Sequence, residues 1–340
     1  MADYIDIDKF LEYQDAGIPV VDVRSPAEYE HSHIPGAVSI PLFDNEQRAI
    51  IGTLYKQQGK IQAVQKGLDF VGPNLRGFTK QVLRLNAPEI VVHCWRGGMR
   101  SSSMAMLFET LGLKCHLITG GYKSYRNYVL DYFTKEYKLI VLGGYTGSGK
   151  TDILNALEAC GEQVLDLEGL ANHRGSAFGA IGQHDQPSSE FFEHLVFEKL
   201  RKMDINRPIW LEDESANIGK VFVPRAIWEN MLGSRFIFVN TSFDVRLDRI
   251  LRDYASLDME GLANSIKRIE KRLGFDKCKA AYEACIAGDF KTAATICLAY
   301  YDKLYAKGIE MKKERRGDYP QIDVDSLDVS SAINELIKLK

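Results

Sequence analysis

The sequence predicts two successive α/β domains, the second continued by a helical extension. Three observations predict this. Short apolar runs alternate with stretches of helical spacing up to about residue 135, and the alternation restarts at Lys138. Two of those runs end in glycine-bearing loops that lead into helical spacing, one beginning at Cys94 and one at Gly143. From residue 243 onward helical spacing dominates. The expected domains are therefore residues 1–135 and 136–340.

In the first domain, residues 7–17 have the spacing of a short helix and Pro19 to Val23 that of a buried strand. Pro26 suits the first turn of a helix capped by Ser25. Ile34-Pro35-Gly36 is a turn, and Ala37 to Ile40 a second strand. Residues 44–86 read as helix broken at Gly59 and Gly72-Pro73. The run Ile90-Val91-Val92 then reads as a strand that stops at His93-Cys94-Trp95-Arg96-Gly97-Gly98-Met99-Arg100-Ser101, with helical spacing from Ser101 to Leu111. Such a loop aims backbone N–H groups and the positive end of a helix dipole at one place. With Arg96 and Arg100 nearby, Cys94 is expected to ionise readily and to act as a nucleophile facing an anion cradle built from residues 96–101. A strand from Cys115 to Ile118, a turn at Gly120-Gly121 and a helix through Tyr125 and Tyr128 close the domain. His31 and His33 read as surface turn residues.

The second domain opens with an apolar strand, then Gly144-Tyr145-Thr146-Gly147-Ser148-Gly149-Lys150-Thr151, then a helix marked by Ile153, Leu154 and Leu157. This is G-x-x-x-x-G-K-[ST] in the strand–loop–helix context that the pattern requires. Backbone N–H groups of Gly147, Ser148 and Gly149 are expected to cradle a di- or triphosphate. Lys150 would neutralise it and Thr151 would reach a magnesium ion. Further strands are expected at Gln163 to Asp166, Pro208 to Leu211 and Arg235 to Val239. Acidic and polar groups follow two of them, Asp166, Glu168, His173 and Arg174 after the first, and Glu212, Asp213 and Glu214 at the end of the second. These are the candidate substrate or magnesium contacts, because α/β sheets bind ligands beyond the carboxyl ends of their strands. In the helical extension, Arg246, Arg249 and Arg252 share one face, and Lys267-Arg268, Lys271-Arg272, Lys312-Lys313 and Arg315-Arg316 form further clusters. Each reads first as a solvated face; together with Tyr300, Tyr301 and Tyr305 they could follow an RNA backbone and stack on bases. Ile322 to Lys340 reads as a short strand and a closing helix.

Composition narrows the class. At 45% hydrophobic and 26% charged over 340 residues, the chain has the make-up of a globular protein, and its net charge of −3 gives no general basic field for nucleic acid. Any RNA contact must be local. The six cysteines show no C-x-x-C pair and no zinc-ligand spacing, so reduced thiols in the cytoplasm are expected. Met1 to Asp6 lacks the basic and apolar regions of a signal peptide, and no apolar run reaches membrane-spanning length. No membrane partner is expected.

The segment Asp22-Val23-Arg24…Glu28-Tyr29…His33-Ile34-Pro35-Gly36-Ala37, with a cysteine loop about 70 residues on, resembles a rhodanese domain. Followed by a P-loop NTPase-like domain, it becomes more specific. The strings Gly52-Thr53-Leu54-Tyr55-Lys56-Gln57-Gln58-Gly59, Trp95 to Ser101 and Gly120-Gly121-Tyr122-Lys123 resemble the tRNA 2-selenouridine synthase family. So do Asp166 to Ser176, Trp210-Leu211-Glu212-Asp213-Glu214-Ser215, Ile266-Lys267-Arg268 with Lys271-Arg272-Leu273-Gly274, and Tyr300-Tyr301-Asp302. The resemblance covers nearly the whole chain and is thinnest over residues 275–298. It implies a transferase acting on the anticodon arm of tRNA: wobble 2-thiouridine is S-alkylated with geranyl diphosphate, and selenium from selenophosphate then replaces the S-geranyl group. On this reading the P-loop takes the diphosphate, and Cys94 takes selenium as a perselenide while phosphate leaves. No tightly bound cofactor is expected, and magnesium is allowed for.

Two other enzyme classes fit parts of the same sequence. His93-Cys94-x-x-Gly97-x-x-Arg100-Ser101 also matches a cysteine-dependent phosphatase, and the P-loop suits an ATP-dependent sulfurtransferase or kinase. A non-catalytic RNA-binding module is a third reading. The P-loop pattern alone leaves open whether it holds geranyl diphosphate, a nucleotide or a tRNA phosphate, and oligomeric state is open as well.

Overall fold

A computed structural model describes residues 2–254 and 258–340; the side chains of Tyr254, Lys307, Met311, Lys312, Arg315 and Arg316 lie outside the described residues, and so does most of the last basic cluster. The chain divides into two compact units, Met1–Tyr132 and Phe133–Lys340.

The first unit runs β1 (Asp3–Ile5), α1 (Ile7–Asp15), β2 (Val20–Asp22), α2 (Pro26–His31), β3 (Val38–Ser39), α3 (Asn45–Gln57), α4 (Lys60–Val71), α5 (Leu75–Leu83), β4 (Glu89–His93), α6 (Met99–Glu109), β5 (Lys114–Ile118) and α7 (Gly121–Tyr132). Its five strands lie in the order β1-β5-β4-β2-β3, every pair parallel. Parallel strands covered on both faces need apolar side chains throughout, which is why Ile90 to Val92 is an unbroken apolar run and is fully buried. Phe78, Val82, Met104 and Phe108 pack with these strands in one core. The chain leaves β2 toward β3 and leaves β4 toward β5, in opposite directions. The crevice between the carboxyl ends of β2 and β4 is therefore the topological switch point, where such sheets place their sites. Asp22 pairs in register with His93, so Cys94 emerges into that crevice.

The second unit runs β6 (Leu139–Gly143), α8 (Lys150–Ala159), β7 (Gln163–Val164), α9 (Leu167–Leu170), α10 (Ser189–Leu200), β8 (Ile209–Glu212), β9 (Asn217–Ile218), β10 (Val221–Phe222), α11 (Arg225–Gly233), β11 (Arg235–Asn240), α12 (Phe243–Tyr254), α13 (Met259–Arg268), α14 (Glu270–Leu273), α15 (Phe275–Ile286), α16 (Phe290–Arg316), β12 (Gln321–Asp323) and α17 (Ser330–Lys338). The main sheet is again all parallel, ordered β12-β11-β6-β8-β7, and β9 with β10 makes a small antiparallel pair. Central β6 is wholly buried; Leu142 is in register with Glu212, so the loop after β6 and residues 212–214 emerge side by side. Helices α13 to α16 enclose their own core of Leu262, Ile266, Cys278, Cys285 and Cys297. The chain then returns to the sheet: Ile322 of β12 and Ile333 and Leu336 of α17 share a core with Ile140 and Trp210. The closing strand and helix thus complete the sheet rather than trail from it.

Local differences from the sequence reading have physical causes. The helix after Cys94 starts at Met99, not Ser101, with Gly98 as its N-cap. The strand expected to reach Asp166 stops at Val164, because the Asp166 carboxylate accepts from Gly169 N at 2.7 Å and caps α9 instead. Among the described residues, no helix is long and apolar enough to cross a membrane.

Candidate active site

The cysteine loop is fixed from both sides. Cys94 O accepts from Tyr122 N at 2.9 Å and Trp95 O from Lys123 N at 2.9 Å, so the start of α7 is stitched to the loop. This contact needs glycine. Gly121 sits at φ +61°, and a β-carbon there would strike the Cys94 carbonyl oxygen and the Gly97 nitrogen. Below the loop, the buried Arg24 fork grips Asp22 with Nη2–Oδ2 at 2.6 Å, donates to Ser32 O at 2.7 Å and lies 3.8 Å from the centre of the Tyr122 ring. Burial opposes ionisation of Asp22, but His93 and the Arg24 fork outweigh it and hold the carboxyl below its ordinary range. His93 itself is pushed down by burial against the opposing pull of Asp22. It is a fully buried spacer under the loop, its Nε2 3.7 Å from Asp22 Oδ2.

Cys94 is 3% exposed, and its Sγ lies 3.3 Å from Ser101 Oγ, which in turn donates to Gly98 O at 3.0 Å. The Ser101 hydroxyl can turn from that carbonyl to a sulfur anion, giving a thiolate one ready donor. Among the described residues, the backbone N–H groups of residues 95–100 donate to no protein acceptor. Six unpaired amides between a cysteine and a helix N-terminus suit an incoming anion. The two arginines differ. Arg100 Nη1 is bound to Glu28 Oε2 at 2.7 Å, and that oxygen also accepts from Ser25 N at 3.0 Å. Burial raises Glu28, but Arg100 above all outweighs it and keeps the carboxyl ionised. Arg100, expected as an anion holder, therefore ties α6 to the first turn of α2 with its charge already matched. Arg96 is exposed and makes no such pair. Met99 and Trp95 are exposed at the rim, Gly97 takes the left-handed turn at φ +63°, and Gly98 caps the helix. His31 ends α2, and His33 stacks on Tyr29 with ring centres 3.9 Å apart.

The second loop, Gly144 to Thr151, has its carbonyls drawn outward. Thr146 O accepts from Arg246 Nη1 at 3.2 Å, Gly147 O from Arg249 Nη1 at 2.9 Å and Ser148 O from Thr241 Oγ1 at 3.1 Å. Turning the carbonyls out leaves the Gly147 and Gly149 amides without a protein acceptor among the described residues, as a phosphate nest requires, whereas Ser148 N, expected in the cradle, donates to Tyr145 O at 3.0 Å. Gly149, at φ +90°, has no room for a side chain because the Arg249 guanidinium lies against it. Gly144 N donates to Tyr305 Oη at 2.8 Å, and that hydroxyl donates to Asp213 Oδ2 at 2.9 Å. Ser148 Oγ is buried with no partner, Lys150 Nζ reaches Gly144 O at 3.2 Å, and Thr151 is exposed at the helix start.

These contacts correct the sequence reading of the basic and aromatic residues. Arg246 and Arg249 are neither a solvated face nor an RNA track. They are buried struts, paired with Asp302 and Asp152 at 2.8 and 3.1 Å. Tyr305 braces the loop and Tyr301 Oη accepts from Ala177 N at 3.2 Å, so neither is a free stacking platform. Lys267, Arg268, Lys271 and Arg272 do face solvent, with Lys267 4.2 Å over the Tyr282 ring.

Carboxyls gather around Lys150. Glu168 and Glu214 both crowd the Gly175 α-carbon, and each is raised first by burial. Glu212, which the sequence groups with Asp213 and Glu214 as a candidate magnesium contact, is fully buried, and among the described residues neither of its carboxyl oxygens has a partner. Burial, then the charges of Asp166 and Glu168, push it well above the ordinary range. It ends an apolar strand, and only the pairing of β8 with β6 shows that it abuts the loop. The remaining candidates are otherwise engaged: Asp166 caps α9, Asp213 serves Tyr305, and His173 is buried between the backbones of Gly179 and Gly219. Arg174 contributes charge to the Glu168 site. Among the described residues, no group of three His, Cys, Asp or Glu is arranged to hold a metal ion.

Comparison with known proteins agrees with this two-part build. Residues 137–323 match the family model described as the tRNA 2-selenouridine synthase AAA domain, and residues 6–128 match the rhodanese-like domain model. A tRNA 2-selenouridine synthase of Nitrosomonas europaea is 35% identical over 78% of this chain and 70% of its own length. One from Cronobacter sakazakii is 32% identical over 94% of this chain and 95% of its own. A solved N-terminal domain of a Clostridium difficile 630 protein described as ATP/GTP binding is 45% identical, covers 37% of this chain and 98% of its own, and superposes with a TM-score of 0.35.

Proposed function

The chain belongs to the tRNA 2-selenouridine synthase family, and from that premise we propose a two-step exchange of sulfur for selenium at a wobble 2-thiouridine, carried out in the cytoplasm. In the first step the thiouridine sulfur attacks C1 of geranyl diphosphate; the C–S bond forms as the C–O bond breaks, and diphosphate leaves. Residues 144–151 suit that leaving group, with the Gly147 and Gly149 amides to donate to it and Lys150 to match its charge. Glu212 and Thr151 are the residues that would hold a magnesium ion there, and the ion would supply positive charge beside the phosphates.

The second step belongs to the cysteine loop, and electron balance fixes its form. Selenium in selenophosphate is already at the selenide level. A perselenide on Cys94 would expel phosphorus as phosphite rather than phosphate. Cys94 is better assigned an attack on phosphorus: the S–P bond forms, the Se–P bond breaks and hydroselenide is released. Hydroselenide adds at C2 of the S-geranyl base and geranylthiol leaves; water then returns phosphocysteine to the thiol and phosphate. Arg96 and the amides of residues 95–100 would hold the phosphoryl oxygens, with Ser101 donating to the sulfur.

One observation supports this reading: the chain carries two glycine loops at the carboxyl ends of two parallel sheets, one beginning at a buried thiol and the other ending at Lys150. The test is one incubation of a thiolated anticodon stem-loop with geranyl diphosphate and selenophosphate, the nucleosides being read by mass. S-geranyl and seleno products are expected in that order, and nucleotide-dependent turnover without either would reject the proposal. Lys150→Ala should lower kcat/KM for geranylation about 100-fold, measured with geranyl diphosphate as the varied substrate. Unchanged geranylation would remove the diphosphate from this loop.

A further inference from the structure

An apolar pocket opens beside the phosphate loop in the second unit. We propose that it holds the hydrocarbon tail of the ligand whose phosphates sit on Gly144 to Thr151, and that small side chains on α16 set the length of tail admitted. This rests on the reading that the loop takes a diphosphate head.

The pocket has a cavity volume of about 80 Å³, room for several water-sized groups. Its position ties it to the loop: Thr146 belongs to both, and Ser176 follows Gly175, whose α-carbon lies against Glu168 and Glu214. Away from that end the wall is hydrocarbon, with Ile250, Leu251, Leu262, Ile266 and Phe290 among its members. No lining residue is charged. Hydroxyls come only from Thr146, Ser176 and Tyr301, and the Tyr301 oxygen already accepts from Ala177 N. A nucleotide base and ribose placed here would bury donors and acceptors without partners, which is unfavourable. A hydrocarbon tail buries nothing polar. The chemistry of the wall therefore selects a phosphorylated lipid-like molecule over a nucleoside.

One face of α16 forms much of this wall. Phe290, Ala293, Ala294, Cys297, Leu298 and Tyr301 follow the spacing of a single helix face, and three of the six are small. A helix face turned into a packed core normally carries larger residues. Ala293 and Cys297 are buried in the core of α13 to α16, and the half-buried Ala294 is the small side chain that lines the remaining space.

Calorimetric titration of the full chain with pyrophosphate, dimethylallyl diphosphate and geranyl diphosphate tests this. The wild type should bind geranyl diphosphate roughly tenfold or more tighter than dimethylallyl diphosphate, because five further carbons leave water. Ala294→Phe should abolish that preference while pyrophosphate affinity stays within about twofold, and unchanged pyrophosphate binding also reports a folded protein. Ala293→Leu, a milder filling, should lower the preference in part and serves if Ala294→Phe does not fold. Equal binding of geranyl diphosphate and pyrophosphate by the wild type would overturn the pocket assignment while leaving the loop assignment intact. So would full retention of the tail preference in both variants. A wild type that binds no pyrophosphate would overturn the diphosphate reading itself, and this inference with it.

Discussion

Cys94→Ser should leave S-geranylation running and lower selenium incorporation about a thousandfold or more, the scale on which enzymes lose a nucleophile. Serine is nearly isosteric, and its hydroxyl can keep the contact with Ser101 Oγ that the thiol makes at 3.3 Å. The fold and the amide cradle should therefore survive. What goes is the sulfur nucleophile: a serine hydroxyl needs an adjacent base to attack, and among the described residues the neighbours of Cys94 offer no base, since His93 is buried one residue behind it with its own protonation suppressed. The signature is accumulation of S-geranyl-2-thiouridine with no selenouridine, read by mass from the same reaction. A second readout is acid-labile phosphate on the wild-type protein after brief exposure to selenophosphate, absent in the variant. Selenium incorporation at the wild-type rate by Cys94→Ser would exclude Cys94 from the reaction.

What could be read in advance follows how local each feature is. The Cys94 and Lys150 loops are contiguous strings, and a strand–glycine–helix succession dictates their backbone without help from elsewhere. The parallel sheets were legible for the same reason, since buried strands advertise themselves as apolar runs. Partnership over distance was not. Arg100 reads as an anion holder until Glu28, 72 residues earlier, is found to occupy it. Arg246, Arg249 and Arg252 share a face by spacing alone, but only Asp302 and Asp152 show that the first two point inward. Glu212 was legible as part of the acidic string Glu212-Asp213-Glu214, but its burial beside the loop depends on a register between β6 and β8 that no local pattern encodes. Tyr305 joins Gly144 to Asp213 across similar separations. Side chains that shape a loop from behind are chosen by topology, and topology is the part of the fold least visible in one sequence.

Arg24→Ala should be the most destabilising change in the first unit, by about 3–5 kcal/mol, the usual result of removing one member of a buried ion pair. The guanidinium is 1% exposed and meets Asp22, the Ser32 carbonyl and the Tyr122 ring at once. Truncation strands the Asp22 carboxylate, itself fully buried, with only the buried His93 imidazole 3.7 Å away. Tyr122 also donates its N–H to Cys94 O, so the loss should reach the cysteine loop directly. Hydrogen exchange on the full chain would show it as faster exchange in β2, β4 and the start of α7, with the second unit's amides unchanged. The paired replacement Asp22→Asn with Arg24→Met should cost much less, because no charge is left uncompensated. The pH dependence follows from the sign of the shift. Asp22 is held below its ordinary value in the folded state, so its contribution is fully present above the unfolded carboxyl range and is lost only as pH falls through the depressed folded value. Stability of this unit should therefore be insensitive to the Asp22 pair at neutral and mildly acidic pH and fall at strong acidity, with Asp22→Asn flattening that fall. An Arg24→Ala protein with wild-type exchange in β2 and β4 would mean that the ion pair does not hold the crevice together, and that the hydrophobic packing of Val21, Val92 and Phe108 is sufficient without it.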